Sequence, residues 1–388
     1  MLSKLEQFTE ACAKLDKQGI IMHEKRCLRK RHLHSSCLRC STVCPNGAIT
    51  CSEGFALLAE KCTGCGACTS VCPSGALSAK LPSNKELRSL VALHVEHSGA
   101  VAFACEAYLK AHPVERQRAI AVQCIARCEE SILVDAVLRG ATSVSILNAS
   151  CADCLQNKLC ILVQTMADTA NRLLECWKYP VVIALTQTIP EKIKPLPIME
   201  GEATGMSRRA FLTAFKRKSE SLFTQVLPEI ILGTTDKQLE TTTELMNPME
   251  ESKYLPDKWR SLVNSLKKLK NMTVSTGFHS SLWGDIHIAD SCNGCGACAE
   301  ACPTAAIIIR NQDSLRSISL DMSRCTQCGL CQDICCCESI KMFSTVDLDA
   351  MLAQTTRVLI EKRQKEIDHL LEPLEQRMAR LLGCVVKK

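Results

Sequence analysis

Long apolar segments are absent from this sequence of 388 residues, and we expect no export signal at its N-terminus. No run of eighteen apolar residues occurs, so we expect no membrane-spanning helix. The stretch Met1–Asp16 is polar and amphipathic and lacks the apolar core of a secretory signal. A twin-arginine-like segment at Met206–Leu212 also has no apolar core after it, which favours a surface helix. We therefore expect a soluble, cytoplasmic protein.

Motifs for nucleotide binding and for common catalytic sites are missing as well. The sequence has no G-x-G-x-x-G after a strand, no P-loop and no H-E-x-x-H. It also has no isolated cysteine with a histidine positioned to activate it as a nucleophile. Aromatic residues make up 4% of the chain, which leaves few platforms for stacking nucleic-acid bases. Nucleotide, phosphate and nucleophilic chemistry are therefore unsupported.

Cysteine, in contrast, is abundant, with 28 in the chain. Three runs place four cysteines at intervals of three, three and four residues, and the first two runs are followed by proline. They are Cys62, Cys65, Cys68, Cys72 with Pro73; Cys292, Cys295, Cys298, Cys302 with Pro303; and Cys325, Cys328, Cys331, Cys335. Disulfides are not expected without export to an oxidising compartment. Zinc favours paired C-x2-C knuckles separated by a dozen or more residues, so this spacing indicates iron–sulfur ligands.

A fourth motif, upstream of the others, is irregular. Cys37, Cys40 and Cys44, followed by proline, supply its last three positions, but its expected first position holds His34. The nearest earlier cysteine is Cys27. We predict Cys27 as the ligand, reaching the site through a longer loop, because thiolate is the usual ligand of such clusters. His34 is the alternative.

These motifs resemble those of dicluster bacterial ferredoxins, over roughly residues 19–80 and 284–343. Short apolar runs of strand length bracket the cysteine loops, as expected for small ferredoxin strands: Gly19–Met22, Ala48–Thr50, Asp285–Ile288, Ala306–Ile309 and Ser339–Met342. In this family, the first three cysteines of one motif share a [4Fe-4S] cluster with the last cysteine of the other motif.

That exchange predicts four clusters. Their ligand sets are Cys27, Cys37, Cys40 and Cys72 (site I); Cys62, Cys65, Cys68 and Cys44 (site II); Cys292, Cys295, Cys298 and Cys335 (site III); and Cys325, Cys328, Cys331 and Cys302 (site IV). In the last motif Cys336 and Cys337 replace the proline and the residue after it, so the choice of ligand among Cys335, Cys336 and Cys337 stays open.

The chain changes character at about Lys85, where helical spacing begins and cysteines become sparse. From residue 99 to 185, apolar runs of strand length alternate with helical segments such as Glu129–Arg139 and Lys158–Leu174, which indicates a small parallel-sheet α/β domain. The strand-length runs are Ala100–Ala104, Ala119–Val122, Ser143–Leu147 and Val181–Leu185. Five cysteines follow the carboxyl ends of these strands, where sites form in such sheets: Cys105, Cys124, Cys128, Cys151 and Cys154.

This region is also similar to the delta subunit of methyl-viologen-reducing hydrogenase. The resemblance rests on Cys105, the turn Cys124–Cys128, the segment Leu138–Ala141, the strand Val144–Leu147 and the Cys151–Cys154 pair. It implies a [2Fe-2S] cluster, with five thiolates competing for four places. The alternative is that each cysteine is a small buried apolar side chain. We treat Cys12, Cys51, Cys160, Cys176 and Cys384 as bystanders.

The remaining segments carry little chemistry. Residues 201–283 are predicted to be a helical connector with a flexible linker at Gly233–Glu251 and a helix beginning at Pro256. Asp347–Leu371 has a helical pattern, and Pro373 can open a second helix. We expect five parts: a ferredoxin domain (1–82), an α/β hydrogenase-delta-like domain (85–200), the connector (201–283), a second ferredoxin domain (284–344) and C-terminal helices (345–388).

The predicted fold class is therefore α+β ferredoxin-like dicluster units at both ends, a central small α/β parallel-sheet domain and C-terminal helices. Such a protein is expected to relay single electrons between an oxidoreductase, of the hydrogenase or formate dehydrogenase type, and an acceptor such as a heterodisulfide-reductase-like or flavin enzyme. The basic stretch Lys25–His34 suits an acidic redox partner better than nucleic acid. The alternatives are a thiol/disulfide-active enzyme using Cys335–Cys337 or the middle cysteines, and a redox-sensing regulator. The clusters suggest an anaerobe.

Overall fold

The computed structural model describes residues 19–51, 55–149, 151–152, 154–180, 182–196, 253–269 and 277–363. The twin-arginine-like segment, the predicted linker, the segment after Pro373, Cys12 and Cys384 lie outside these ranges. Among the described residues, no helix is long and apolar enough to cross a membrane.

The described residues of the N-terminal unit form four short strands and three short helices. Its elements are β1 (Ile20–Met22), α1 (Leu28–Arg31), α2 (Arg39–Val43), β2 (Ile49–Thr50), β3 (Ala56–Leu57), α3 (Ala67–Val71) and β4 (Leu77–Ala79). The first strand pairs antiparallel with the last, and β2 pairs with β3 as an inner hairpin. This pairing brings the loop before α2 and the loop before α3 together. Cysteines of both motifs therefore belong to one small apolar core.

The C-terminal unit repeats this arrangement. Its elements are β9 (Phe278–His279), β10 (Asp285–Ile288), α9 (Ala297–Ala301), β11 (Ile307–Gln312), β12 (Leu315–Asp321), α10 (Leu330–Asp333), β13 (Ile340–Phe343) and β14 (Thr345–Val346). Again the outer strands β10 and β13 pair, and β11 with β12 forms the inner hairpin, while β9 pairs with β14. The predicted ferredoxin-like architecture is thus present at both ends of the chain, and every predicted strand near a cysteine loop is found.

The prediction of C-terminal helices is wrong for residues 356–363. A short helix, α11 (Leu348–Ala353), ends at Gln354 in a left-handed conformation, and the chain continues as β15 (Thr356–Arg363). This strand pairs antiparallel with β12 and extends the inner hairpin to three strands. The free edge of β12 offers backbone hydrogen-bond partners that a helix would leave unused, and this tertiary pairing outweighs the local helical pattern.

The central region is a four-stranded parallel sheet with helices, as predicted. Its elements are α4 (Asn84–Ser98), β5 (Val101–Cys105), α5 (Glu106–Ala111), β6 (Ile120–Val122), α6 (Glu130–Leu138), β7 (Val144–Leu147), α7 (Leu159–Glu175) and β8 (Ile183–Thr186). The strand order is β6-β5-β7-β8. The chain therefore reverses its direction across the sheet between β6 and β7, which creates a crevice beyond the carboxyl ends of β5 and β7.

One helix joins the central region to the N-terminal unit. Helix α8 (Asp257–Leu266) packs against α6, and its buried Lys258 lies 2.5 Å from the Glu130 carboxylate. Lys258 also donates to the backbone carbonyl of Ser70 in α3 at 2.9 Å. The buried face of α8 contains Trp259, Leu262, Val263 and Leu266, and the helix begins directly after Pro256, close to the predicted start.

Candidate metal centres

The cysteines of site I surround one enclosed cavity. Its lining includes Cys27, Cys37, Cys40 and Cys72, which is the set predicted from motif exchange. Cys51 lines the same cavity, with its sulfur 4.0 Å from that of Cys40, although no motif includes it. His34 is exposed and is not among the lining residues. The geometry therefore supports Cys27 over His34 as the first member of the irregular motif.

Backbone conformation supports the same choice. A short 3₁₀ turn precedes the first cysteine of three motifs, at Glu24–Arg26, Ala59–Lys61 and Met322–Arg324. Cys27, Cys62 and Cys325 follow these turns with nearly equal φ/ψ angles of −69°/122°, −78°/117° and −77°/108°. Cys27 thus occupies the position that the first cysteine takes in regular motifs, and α1 is the inserted loop between it and Cys37.

The first motif also differs from the others in its backbone conformation after Cys37. The residue directly after the second cysteine is glycine in the other motifs, at Gly66, Gly296 and Gly329, and each adopts a left-handed φ of about 80°. The first motif has Leu38 there, with φ of −124°. A leucine strongly disfavours the left-handed conformation, so this loop follows a different path.

A second enclosed cavity in the N-terminal unit is lined by the cysteines of site II. They are Cys44, Cys62, Cys65 and Cys68. The backbone N–H of Ala48 donates to the Cys44 sulfur at 3.2 Å. Burial, followed by the neighbouring thiols of Cys44 and Cys62, raises the pKa of Cys65. Cys44 thus joins the cysteines of the following motif, as the exchange of last ligands predicts.

In the C-terminal unit the cysteine thiols interact in the same crossed pattern. Burial, followed by the neighbouring thiols of Cys295, Cys292 and Cys335, raises the pKa of Cys298 to about 12. This group is site III. Burial also raises the pKa of Cys331, and its neighbouring thiols Cys328, Cys325 and Cys302 add to the effect. This group is site IV. Each contains three cysteines of one motif and the last cysteine of the other.

Structural equivalence distinguishes the three consecutive cysteines at the end of the last motif. Cys44, Cys72 and Cys302 each precede a turn whose third residue after the cysteine has positive φ, at Gly47, Gly75 and Ala305. Cys335 precedes the same turn, with Glu338 at the positive-φ position (49°). Cys336 stands where the other motifs have proline, and Cys337 stands where they have Asn46, Ser74 or Thr304. Cys335 is therefore the counterpart of the last ligand.

The donor set suits iron–sulfur clusters chemically. Most of these thiols are buried or half-buried, and burial disfavours their thiolate form, which raises the pKa of Cys325 to about 12. Backbone N–H groups nevertheless donate to sulfur, as from Ala306 to Cys302 at 3.2 Å and from Gly294 to Cys292 at 3.4 Å. Thiolates are stabilised by bound metal, and N–H donors to sulfur tune cluster potentials.

Within the described ranges, no three histidine, cysteine or carboxylate side chains meet at one point where they could hold a single metal ion. The thiols instead line cavities or form extended groups. A multi-iron cluster takes its ligands on separate iron atoms, so its thiolates surround a volume rather than one point.

Four of the five predicted middle cysteines line one cavity at the switch point of the parallel sheet. A cavity of about 250 Å³ is lined by Cys105, Cys124, Cys151, Cys154 and Cys160, together with polar and apolar neighbours. Cys128 is fully buried and is not part of this lining. Cys160, on the first turn of α7, was not expected here because it lies within a helix. The structure therefore places a different fifth cysteine at the cavity.

The five cysteine sites form a continuous series. The middle cavity adjoins site II, because Cys65 lies close enough to Cys124 to raise its pKa, after the larger effect of burial. Gln156, which lines the middle cavity, donates to Thr63 of the site II loop at 2.7 Å. Sites II and I are joined within the N-terminal unit, since Cys72 is also a neighbour of Cys68.

Site I in turn adjoins the C-terminal unit. The buried side chains of Leu28, Ala297, Leu330 and Ile334 form one apolar cluster, against which Cys37, Cys295 and Cys328 pack. Arg39 donates to the backbone carbonyl of Gln327 in the site IV loop at 2.5 Å. Ser36 donates to the Asp333 carboxylate through its backbone N–H at 2.8 Å and its hydroxyl at 2.9 Å. Sites IV and III are joined by the proximity of Cys331 and Cys298.

Comparison with known protein families finds two matches. Residues 57–78 match the family of 4Fe-4S binding domains, and residues 291–339 match that of 4Fe-4S dicluster domains. The chain therefore carries ferredoxin-type 4Fe-4S binding domains in its N-terminal and C-terminal regions. No curated protein and no solved structure matches the chain. The matched residues include Cys62–Cys72 and every cysteine from Cys292 to Cys337.

Proposed function

We propose that this protein is an electron-transfer subunit that relays single electrons through four [4Fe-4S] clusters, held at sites I to IV, and a [2Fe-2S] cluster at the middle cavity. When bound, each cluster supplies a one-electron oxidation and reduction. The protein surrounds the centres with buried thiolates, N–H donors and apolar side chains that exclude water and tune potential. The ferredoxin-type domains carry the general role.

The observation that carries the relay is the series of adjacent sites, in the order middle cavity, II, I, IV and III. The two ferredoxin-like units are far apart in sequence, yet Leu28, Leu330 and Ile334 form one apolar cluster. Cysteines of sites I, III and IV pack against this cluster. Two side-chain hydrogen-bond donors, Arg39 and Ser36, fix the same contact. A protein that used each unit independently would not need this built junction.

The middle site extends the series at one end. Its thiols resemble those of the hydrogenase delta subunit, and its cavity opens at the sheet edge where α/β proteins bind ligands. We infer that the protein joins an oxidoreductase of the hydrogenase or formate dehydrogenase type to an acceptor such as a heterodisulfide-reductase-like or flavin enzyme. The extra α/β domain supports a subunit role, since a free ferredoxin shuttle has no use for it.

The first test is the iron content of anaerobically purified full-length protein together with a reductive titration followed by EPR. Four cubanes give about 16 iron and about four electron equivalents per chain, and a [2Fe-2S] centre raises these to about 18 and five. A series of adjacent centres also predicts magnetic interaction between reduced clusters, seen as broadened EPR signals.

Two results would overturn the proposal. An iron content near 8 would mean that only one ferredoxin unit is loaded. A fully loaded protein whose reduced clusters give separate EPR signals without magnetic interaction would contradict the continuous series. A relay subunit should also copurify with an oxidoreductase, so recovery from its native source as an independent monomer would count against the subunit role.

A further inference from the structure

Two thiols at the end of the last motif are left over from cluster binding. Cys335 is the counterpart of the last ligand in the other three motifs, while Cys336 and Cys337 stand at positions that hold proline and a small polar residue elsewhere. The two following cysteines therefore need a different explanation.

Their geometry makes them a close pair at the surface. The sulfur atoms of Cys336 and Cys337 are 3.6 Å apart, and Cys336 is exposed. The side-chain amide of Asn293 is 3.9 Å from the Cys336 sulfur. The turn is held by Ser339, whose hydroxyl donates to the backbone carbonyl of Cys337 at 3.2 Å. Cys336 is thus open to solvent, and the half-buried Cys337 is its close neighbour.

We propose that Cys336 and Cys337 are a redox-active vicinal dithiol that reacts with small-molecule disulfides. The Cys336 thiolate attacks one sulfur of the disulfide, forming a mixed disulfide and releasing one thiol. The Cys337 sulfur then attacks the Cys336 sulfur, closes a Cys336–Cys337 disulfide and releases the second thiol. The pair loses two electrons and two protons, and the small disulfide gains both.

The resulting bond is easily reversed. Consecutive Cα atoms are about 3.8 Å apart, which is shorter than the range of about 4.4 to 6.8 Å found for ordinary disulfides. A disulfide between neighbouring residues is therefore strained, and strained, exposed disulfides have higher reduction potentials. Such a pair suits repeated exchange rather than structural cross-linking. This inference does not depend on the proposed relay, because the comparison of turns assigns the position of the last ligand to Cys335 and to neither of these two thiols.

The test uses the full-length, cluster-loaded protein, with oxidised glutathione as the disulfide probe under anaerobic conditions. For the unaltered chain we expect release of two glutathiones and a peptide lighter by two hydrogens, with fragment ions locating the loss at residues 336 and 337. Cys337→Ser should stop at the mixed disulfide, releasing one glutathione and keeping one on Cys336. Cys336→Ser should react about tenfold more slowly or not at all.

The iron content of each variant shows whether a loss of exchange comes from misfolding or from the missing thiol. Both variants should retain the iron of the unaltered chain, whereas Cys335→Ser should lose a cluster. Phenylarsine oxide, which bridges paired thiols, should bind once at the pair and fail to bind there in either variant. Cys176→Ser, which removes a buried thiol outside every site, is the matched control and should behave like the unaltered chain.

Three outcomes would overturn the inference. Loss of iron from Cys336→Ser or Cys337→Ser would make that thiol a ligand. Absence of glutathione release from the unaltered chain would show that the pair does not exchange. Ring closure that persists in Cys337→Ser would identify another resolving thiol.

Discussion

The exchange of last ligands between motifs can be tested by combining substitutions within one site and across two sites. We expect the double variant Cys27→Ser with Cys72→Ser to lose one cluster, about 4 of about 16 iron in the cubanes, because both thiols line the same cavity. Cys65→Ser with Cys72→Ser should lose two clusters, about 8 iron, because these thiols belong to different cavities.

The assay is iron and acid-labile sulfide per folded chain, with EPR of the reduced protein. The single variants give the baseline, and Cys176→Ser controls for loss of a buried thiol that lies outside the sites. Partial retention as a three-iron cluster would reduce the loss per site, but it would not change which pair of substitutions is additive. The comparison between the two double variants therefore carries the result.

The opposite pattern would refute the reasoning. If Cys65→Ser with Cys72→Ser removes only one cluster, Cys72 serves the cluster of its own motif. The crossed assignment of site I and site II would then be wrong, and the same doubt would extend to Cys302 and Cys335.

Three further predictions concern stability and the middle site. Lys258→Met should lower the free energy of unfolding by about 3 kcal/mol in denaturant titrations, because it leaves the Glu130 carboxylate buried without its partner. Adding Glu130→Gln should restore part of the lost stability. A single variant Lys258→Met with unchanged stability would contradict this role. Burial lowers the pKa of His94 to about 4, below its value of about 6.5 in the unfolded chain, so on acidification the unfolded chain binds a proton before the folded protein does. The free energy of unfolding should therefore decrease by up to about 2 kcal/mol between pH 7 and pH 5, and His94→Gln should abolish that decrease. An equal pH dependence in both proteins would exclude His94 as the cause. Cys124→Ser should remove any [2Fe-2S] EPR signal while Cys128→Ser retains it, because Cys124 lines the middle cavity and Cys128 does not. Loss of the signal in both variants would return Cys128 to the ligand set.

Local sequence was sufficient for features that depend on spacing along the chain. Cysteines three or four residues apart must meet in one tight loop, so the regular motifs identified the cluster loops and their flanking strands directly. Alternating apolar runs and helical segments likewise identified the parallel sheet, because buried strands and amphipathic helices leave different periods in the sequence. The position of cysteines after strand ends predicted the cavity at the sheet edge.

Tertiary structure decided what depends on contacts between distant segments. Residues 356–363 became a strand because β12 offered an unpaired edge, and no local pattern reports such an edge. Cys51 and Cys160 reached cavities from outside any motif, while Cys128 turned away from the site that its spacing suggested. The junction of Leu28 with Leu330 and Ile334 joins residues about 300 positions apart, a contact that only the packing of the two units creates. Spacing thus determined the individual loops, and packing determined which loops adjoin.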